Sequence, residues 1–182
     1  MLQRAIFLMQ DAFDMDQLVV KTERPFIDTL IKTSDGTPAA VLLDGIFGLR
    51  RKLYKRLAQY SYFEEPQLYG RLARRPYAEL VGVAERIAET LSNVLGKPVA
   101  AHEVLVDAPP AELEVDFDIE VFYAKESLYR RLGDVSPVVR TLAKEQFDDY
   151  VKRVRVFVHP RIISEARSIT DLAERLADAI DE

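Results

Sequence analysis

The chain has 182 residues, 48% hydrophobic and 30% charged, with a formal net charge of −5 and no cysteine. That apolar share is enough for one substantial core, and the interspersed charges of both signs exclude a disordered composition. The missing cysteine excludes a disulfide framework, a thiolate metal site and a cysteine nucleophile, while net acidity argues against a general nucleic-acid binder.

The opening MLQRAIFLMQ carries one arginine and no small-residue cleavage site, which makes it a poor signal peptide. No apolar run approaches the ~20 residues that span a bilayer. The expectation is a soluble, cytoplasmic protein with no membrane partner.

Leu2, Ala5, Ile6, Leu8, Met9, Ala12 and Phe13 form a helical face, yet no capping residue stands before it. Two origins fit: a helix that continues from a longer protein, or an initiator methionine on a frayed helix. Asp14 to Asp16 break the pattern. A proline-initiated helix is expected over Pro25 to Lys32, then a turn at SDGTP and a helix over Ala39 to Phe47 with Pro38 at its start.

From Gly48 the pattern is ambiguous. Leu49, Leu53 and Leu57 fit a helix, whereas the aromatic residues and alternating cations fit a strand. Two helices follow, Glu65 to Arg74 and Pro76 to Leu95, the second with Leu80, Val83, Ala84, Ile87, Leu91 and Leu95 at helical spacing and Gly96 as a stop.

HEVLVDAPP predicts a short strand ended by prolines. EVDFDIEVFY, from Glu114 to Tyr123, alternates acid and apolar residue as a half-buried strand does. A helix over Pro137 to Tyr150 has Ser136 placed as its cap. KRVRVFVH, from Lys152 to His159, alternates again, and Ser168 to Ile180 predicts a final amphipathic helix. The fold class is therefore α+β: an antiparallel sheet of about four strands in a ferredoxin-like βαββαβ order, helices packed on it, and an N-terminal helical segment.

Residues suited to chemistry are few. His102 and His159 stand at strand ends, with no His-x-x-x-His or Glu-x-x-His spacing to make a metal site from one segment. Hydrogen-bonded strand-end histidines are the plain alternative to a site where the two meet in space. Glu114, Asp116, Asp118 and Glu120 share one strand face, which suits a solvated edge better than an acid/base pair. Neither a glycine-rich phosphate loop nor Gly-x-Ser-x-Gly occurs. No catalytic residue and no metal ligand is assigned.

The segment RRKLYKR places Arg50, Arg51, Lys52, Lys55 and Arg56 in seven positions of an acidic chain. Such a patch suits a small anion better than a long polyanion, which the rest of the surface would repel. Arg51 and Lys55 lie about 40° apart in a helix and on one side in a strand. An arginine fork could then hold one phosphate while the lysine supplies a point charge to the next. The alternative is a solubilising surface.

LRRKLYKR, HEVLVDAPP, VFYAK and SPVVRTLAKEQFDDYVKRVRVFVHP together resemble the region that follows the catalytic domain in HD-superfamily phosphohydrolases. The likeness spans roughly residues 40 to 162 and is strongest to bacterial members related to deoxynucleoside triphosphate triphosphohydrolases. MLQRAIFLMQDAF resembles the end of an HD domain. The resemblance implies two parts: residues 1–47, a helical segment continuing from a missing HD catalytic domain, and residues 48–182, an α+β HD-associated domain.

In that family a His…His-Asp…Asp set holds the catalytic metal, and this chain has no His-Asp dipeptide. The resemblance therefore implies no cofactor in this chain, a divalent metal only in the missing HD domain, and no hydrolysis by this chain alone. In animal members that join a SAM domain to the HD domain, an Arg-x-x-x-Lys stretch contacts nucleotide phosphates at an allosteric site where subunits meet. Its matching positions are Arg51 and Lys55, and a further lysine matches Lys125 of FYAK. The long loop that follows the basic stretch there is replaced here by the helices from Glu65 to Leu95.

The expected partners are thus the HD domain of the same parent protein, further copies of the chain, and a dNTP or NTP effector. A structural homo-oligomerisation module without a ligand is the alternative. An RNA-binding reading, with Tyr60, Tyr62 and Phe63 as stacking platforms, is opposed by the acidic body.

Overall fold

The structure, a computed structural model, describes residues 1–110, 119–141 and 152–181. Helix α1 (Leu2–Leu8) starts without a side-chain cap and runs into a 3-10 turn at Gln10–Ala12. Asp14 does not merely break the pattern. Its carboxylate accepts from the amides of Asp16 (3.1 Å) and Gln17 (3.5 Å) and starts α2 (Met15–Val19). Helix α3 (Glu23–Thr33) begins two residues before Pro25, so the proline lies in the first turn, where its missing amide costs nothing. Gly36 turns the chain at φ 73°, and α4 (Pro38–Phe47) opens on Pro38 as expected.

Strand β1 spans Lys55–Tyr60, so the ambiguous segment becomes a strand only in its second half. Helices α5 (Pro66–Leu72) and α6 (Tyr77–Leu95) follow, and Gly96 ends α6 in the left-handed conformation. Next come β2 (Val104–Asp107) and a hairpin of β3 (Glu120–Tyr123) and β4 (Leu128–Arg131). Glu114, Asp116 and Asp118 lie outside the described residues; Glu120 stands opposite Arg131 in the hairpin.

Short helices α7 (Leu132–Val135) and α8 (Pro137–Thr141) follow β4, and the Ser136 hydroxyl accepts from the amide of Val139 at 3.3 Å, as its place before Pro137 predicts. Strand β5 (Val154–Val158), α9 (Ile163–Arg167) and α10 (Leu172–Asp181) complete the described chain.

The α+β class is as expected, but the strand count and order differ. Among the described residues the main sheet has three antiparallel strands, ordered β1-β5-β2, and β3-β4 is a separate two-stranded sheet. The ferredoxin-like βαββαβ order is not confirmed, because the last strand lies in the centre. Burial explains that placement. Val154, Val156 and Val158 are fully buried among residues of α6, α9 and α10, while Phe157 faces the core of the N-terminal helices. A strand with one face wholly buried and Phe157 packed on the other belongs inside a sheet, and burying each such valine stabilises by about 1.5–3 kcal/mol. Strand β1, with its cations and a bulge between Arg56 and Ala58, has the character of an edge.

Two cores result, one on each face of the sheet. Tyr60, Val104, Val106 and the β5 valines join Leu80, Val83, Ile87 and Leu91 of α6 on one side. On the other, Tyr54 and Leu105 join Ala5, Leu30, Ala39, Leu42 and Leu43. Residues 1–47 therefore pack directly onto the sheet.

Candidate functional site

The basic segment enters the sheet at the end where β2 begins and β5 finishes. Helix α4 is closed by the Gly48 amide on the Asp44 carbonyl (2.8 Å) and the Lys52 amide on the Gly45 carbonyl (2.9 Å). A side chain at Gly48 would strike the Asp44 carboxylate and carbonyl, so this tight exit requires glycine. Residues 51–54 then run without regular structure into β1.

Tyr54 anchors this segment. Its ring is buried, its hydroxyl donates to the His102 carbonyl at 3.0 Å, and it meets the His159 ring edge-on at 5.3 Å. Burial first, then the nearby Glu103 carboxylate, push its phenol far above the ordinary value, so it stays a donor.

The five cations divide into two groups. Lys52 pairs with Asp44 at 3.3 Å, and Arg56 donates to the Gln59 side chain at 2.7 Å while its carbonyl accepts from Arg167 at 2.8 Å. Arg50, Arg51 and Lys55 are exposed and form no ion pair among the described residues. Because 51–54 is irregular, neither helical nor strand periodicity relates Arg51 to Lys55; they are neighbours on one short, anchored segment. Lys55 opens β1 opposite Val158. Lys125 lies elsewhere, exposed in the turn of the β3-β4 hairpin, on the other sheet.

Behind the segment lies a cluster that the sequence reading missed. Glu103 is a buried acid; its carboxylate accepts from the Ala100 amide at 2.9 Å and from both Nε and Nη2 of Arg161. Burial alone would raise this carboxyl, but the Arg161 and Ala100 hydrogen bonds outweigh it and hold the group below its ordinary value. Arg161 Nη2 also reaches the Pro98 carbonyl at 2.8 Å. His159 Nδ1 accepts from the Arg161 amide at 3.1 Å, which leaves the proton of the neutral ring on Nε2. Burial lowers both His102 and His159 from the usual histidine range.

The two histidines therefore reach the same end of the sheet, beside the buried Glu103 and its partner Arg161; the His159 ring accepts a hydrogen bond there, and His102 takes part through its backbone carbonyl. Glu103 carried one signal: an acid directly before the apolar run Val104–Val106 is drawn into the core and needs a partner. Among the described residues, no group of three or more His, Asp or Glu is placed to hold a metal. Tyr60 is buried in the core, so Tyr60, Tyr62 and Phe63 do not form one stacking platform. No helix among the described residues is long and apolar enough to cross a membrane.

A family model described as the HD associated region matches residues 1–175. The chain belongs to that family, an accessory region of HD-type proteins, and the match covers the N-terminal helices and the sheet alike. No curated protein and no solved structure matches it.

Proposed function

We propose that this chain is the non-catalytic accessory part of an HD-type (d)NTP phosphohydrolase-like protein, supporting its oligomerisation and binding a regulatory nucleotide. Phosphates would be held by Arg51 and Lys55, with Lys125 assigned its part through the resemblance. The observation that carries this reading is the division of charge in RRKLYKR. Lys52 and Arg56 are engaged within the fold, whereas Arg51 and Lys55 keep their charges outward on a segment fixed by Tyr54. Cations already placed and unpaired can meet phosphate without first breaking an internal pair.

The test is thermal melting of the chain with dGTP, dATP, GTP or ATP. A nucleotide that binds the native state raises the melting temperature, and the rise shrinks as salt screens the phosphate contacts. Arg51→Glu with Lys55→Glu abolishes the response; an equal response in that double variant removes both residues from the site. Lys125→Glu, tested alone, decides its membership in the same way. A structural homo-oligomerisation module without a ligand is the second reading, favoured by the full exposure of Leu49 and the partial exposure of Leu53 on the same segment.

A further inference from the structure

We infer that the loop after α4 and the groove between α3 and α4 are the two halves of one self-association contact, with Leu49 of each copy seated in the groove of the other. This rests on the oligomerisation reading above and names the surface that would carry it.

Leu49 is wholly exposed, at 107% of its reference area, on the rigid exit from α4. The Gly48 and Lys52 amides hold that exit on α4 carbonyls, so the side chain is presented rather than loose. A lone exposed leucine is ordinary by itself; what gives this one meaning is the open apolar groove that adjoins it.

The groove is immediately beside it. A cavity of about 550 Å³ opens between α3 and α4, lined by the apolar Ile31, Ala40, Leu43 and Phe47 and by the charged Lys32, Asp35 and Asp44. Gly48, the residue before Leu49, lines one wall of this cavity, so the exposed side chain and the groove adjoin. Ile31 is itself nearly half exposed, so the groove is open to a second molecule.

Charge supports the same occupant. Asp35 is exposed and forms no ion pair among the described residues, and neither does Arg50, which follows Leu49. An Arg50 carried in with Leu49 would have Asp35 as its partner, since Asp44 is already paired with Lys52 and Lys32 is the one cation of the lining, and by symmetry the reverse pair forms as well. Knob and hole adjoin on one surface, as a two-fold, self-complementary contact requires. An unrelated partner would need to supply both a matching knob and a matching groove, whereas a second copy already has both.

Sedimentation of the 182-residue chain across the micromolar range, without nucleotide, tests this. The wild type is expected to self-associate and Leu49→Asp to stay monomeric, with the melting temperature of the wild type at concentrations too low for association, since the side chain touches nothing in the fold. Arg50→Asp and Asp35→Arg should each weaken association by about tenfold or more, and the two together should restore it. A wild type that stays monomeric, a Leu49→Asp variant that associates as the wild type does, or a charge swap without rescue would each overturn the assignment. Thermal melting with nucleotide reports on Arg51 and Lys55 separately, so failure of the contact and failure of the nucleotide site are read independently.

Discussion

Arg161 reaches the buried carboxylate of Glu103 with two donors of its planar fork and ties the chain beyond β5 to the residue just before β2. The Glu103 carbonyl completes the tie by accepting from the His159 amide at 2.8 Å. The end of the sheet that carries the basic segment is thus closed by one ion pair and its hydrogen bonds.

Arg161→Ala should destabilise the chain by about 2 kcal/mol, less than a wholly buried pair would lose because the arginine itself is partly exposed. Arg161→Lys should lose about half as much, since it keeps the charge and loses the fork. Urea unfolding with an unchanged slope measures both, and equal midpoints for wild type and Arg161→Ala would show that the pair contributes nothing.

Acid should weaken the fold in two stages. Both histidines have folded values below the 6.5 of the unfolded chain, chiefly through burial. The unfolded state therefore takes up protons first, and stability present above pH 6.5 declines as pH falls toward the lower folded values. Glu103 is depressed below 4.5, so its contribution persists to about that pH and is lost below it. For His159, Glu103 opposes the depression while Arg161, Lys52 and His102 add to it. Melting temperature against pH should show both stages, and His159→Gln should flatten the upper one.

Truncation in the larger core should be costly. Ile87 and Leu91 of α6 are almost wholly buried against the sheet, and Ile87→Ala or Leu91→Ala should each cost about 2–5 kcal/mol. Val41→Ala, on an exposed side chain of α4, should change stability by less than about 0.5 kcal/mol and serves as the control.

Two glycines of one helix should respond with opposite signs. Gly82 lies inside α6, where an added Cβ would make only an ordinary contact with Arg86 at 3.8 Å, so Gly82→Ala should stabilise by about 0.5–1 kcal/mol. Gly96 has φ 63°, and Gly96→Ala should destabilise by about 1 kcal/mol. Thermal melts of the two variants beside the wild type decide both.

Much of this architecture was legible from local pattern. The apolar spacing from Leu80 to Leu91 with Gly96 behind it defines α6, and alternation in KRVRVFVH gives β5 with its three valines inward. What local pattern could not give was partnership. Nothing in a single stretch says that β5 lies between β1 and β2, because that depends on which strands are covered on both faces. RRKLYKR read equally as helix or strand since five of its seven residues are neither. Glu103 and Arg161, 58 residues apart, have no shared motif. Of the candidate phosphate residues, Arg51 and Lys55 adjoin by sequence, while the place of Lys125 on another sheet could not be read from the order of elements.

The central position of β5 also dictates when the sheet can exist. Gln59 and Arg155, which meet across β1 and β5, are 96 residues apart, and among the described residues β2 likewise pairs with β5 alone. A chain emerging from the ribosome can form α6 early, but among the described strands β1 and β2 have no hydrogen-bonding partner until β5 has been made. Until then both strands remain open templates, and the apolar face of α6 waits uncovered. The last strand works as a keystone: assembly of the three-stranded sheet waits for it, and a nascent chain halted before it leaves both earlier strands open to aggregation and proteolysis.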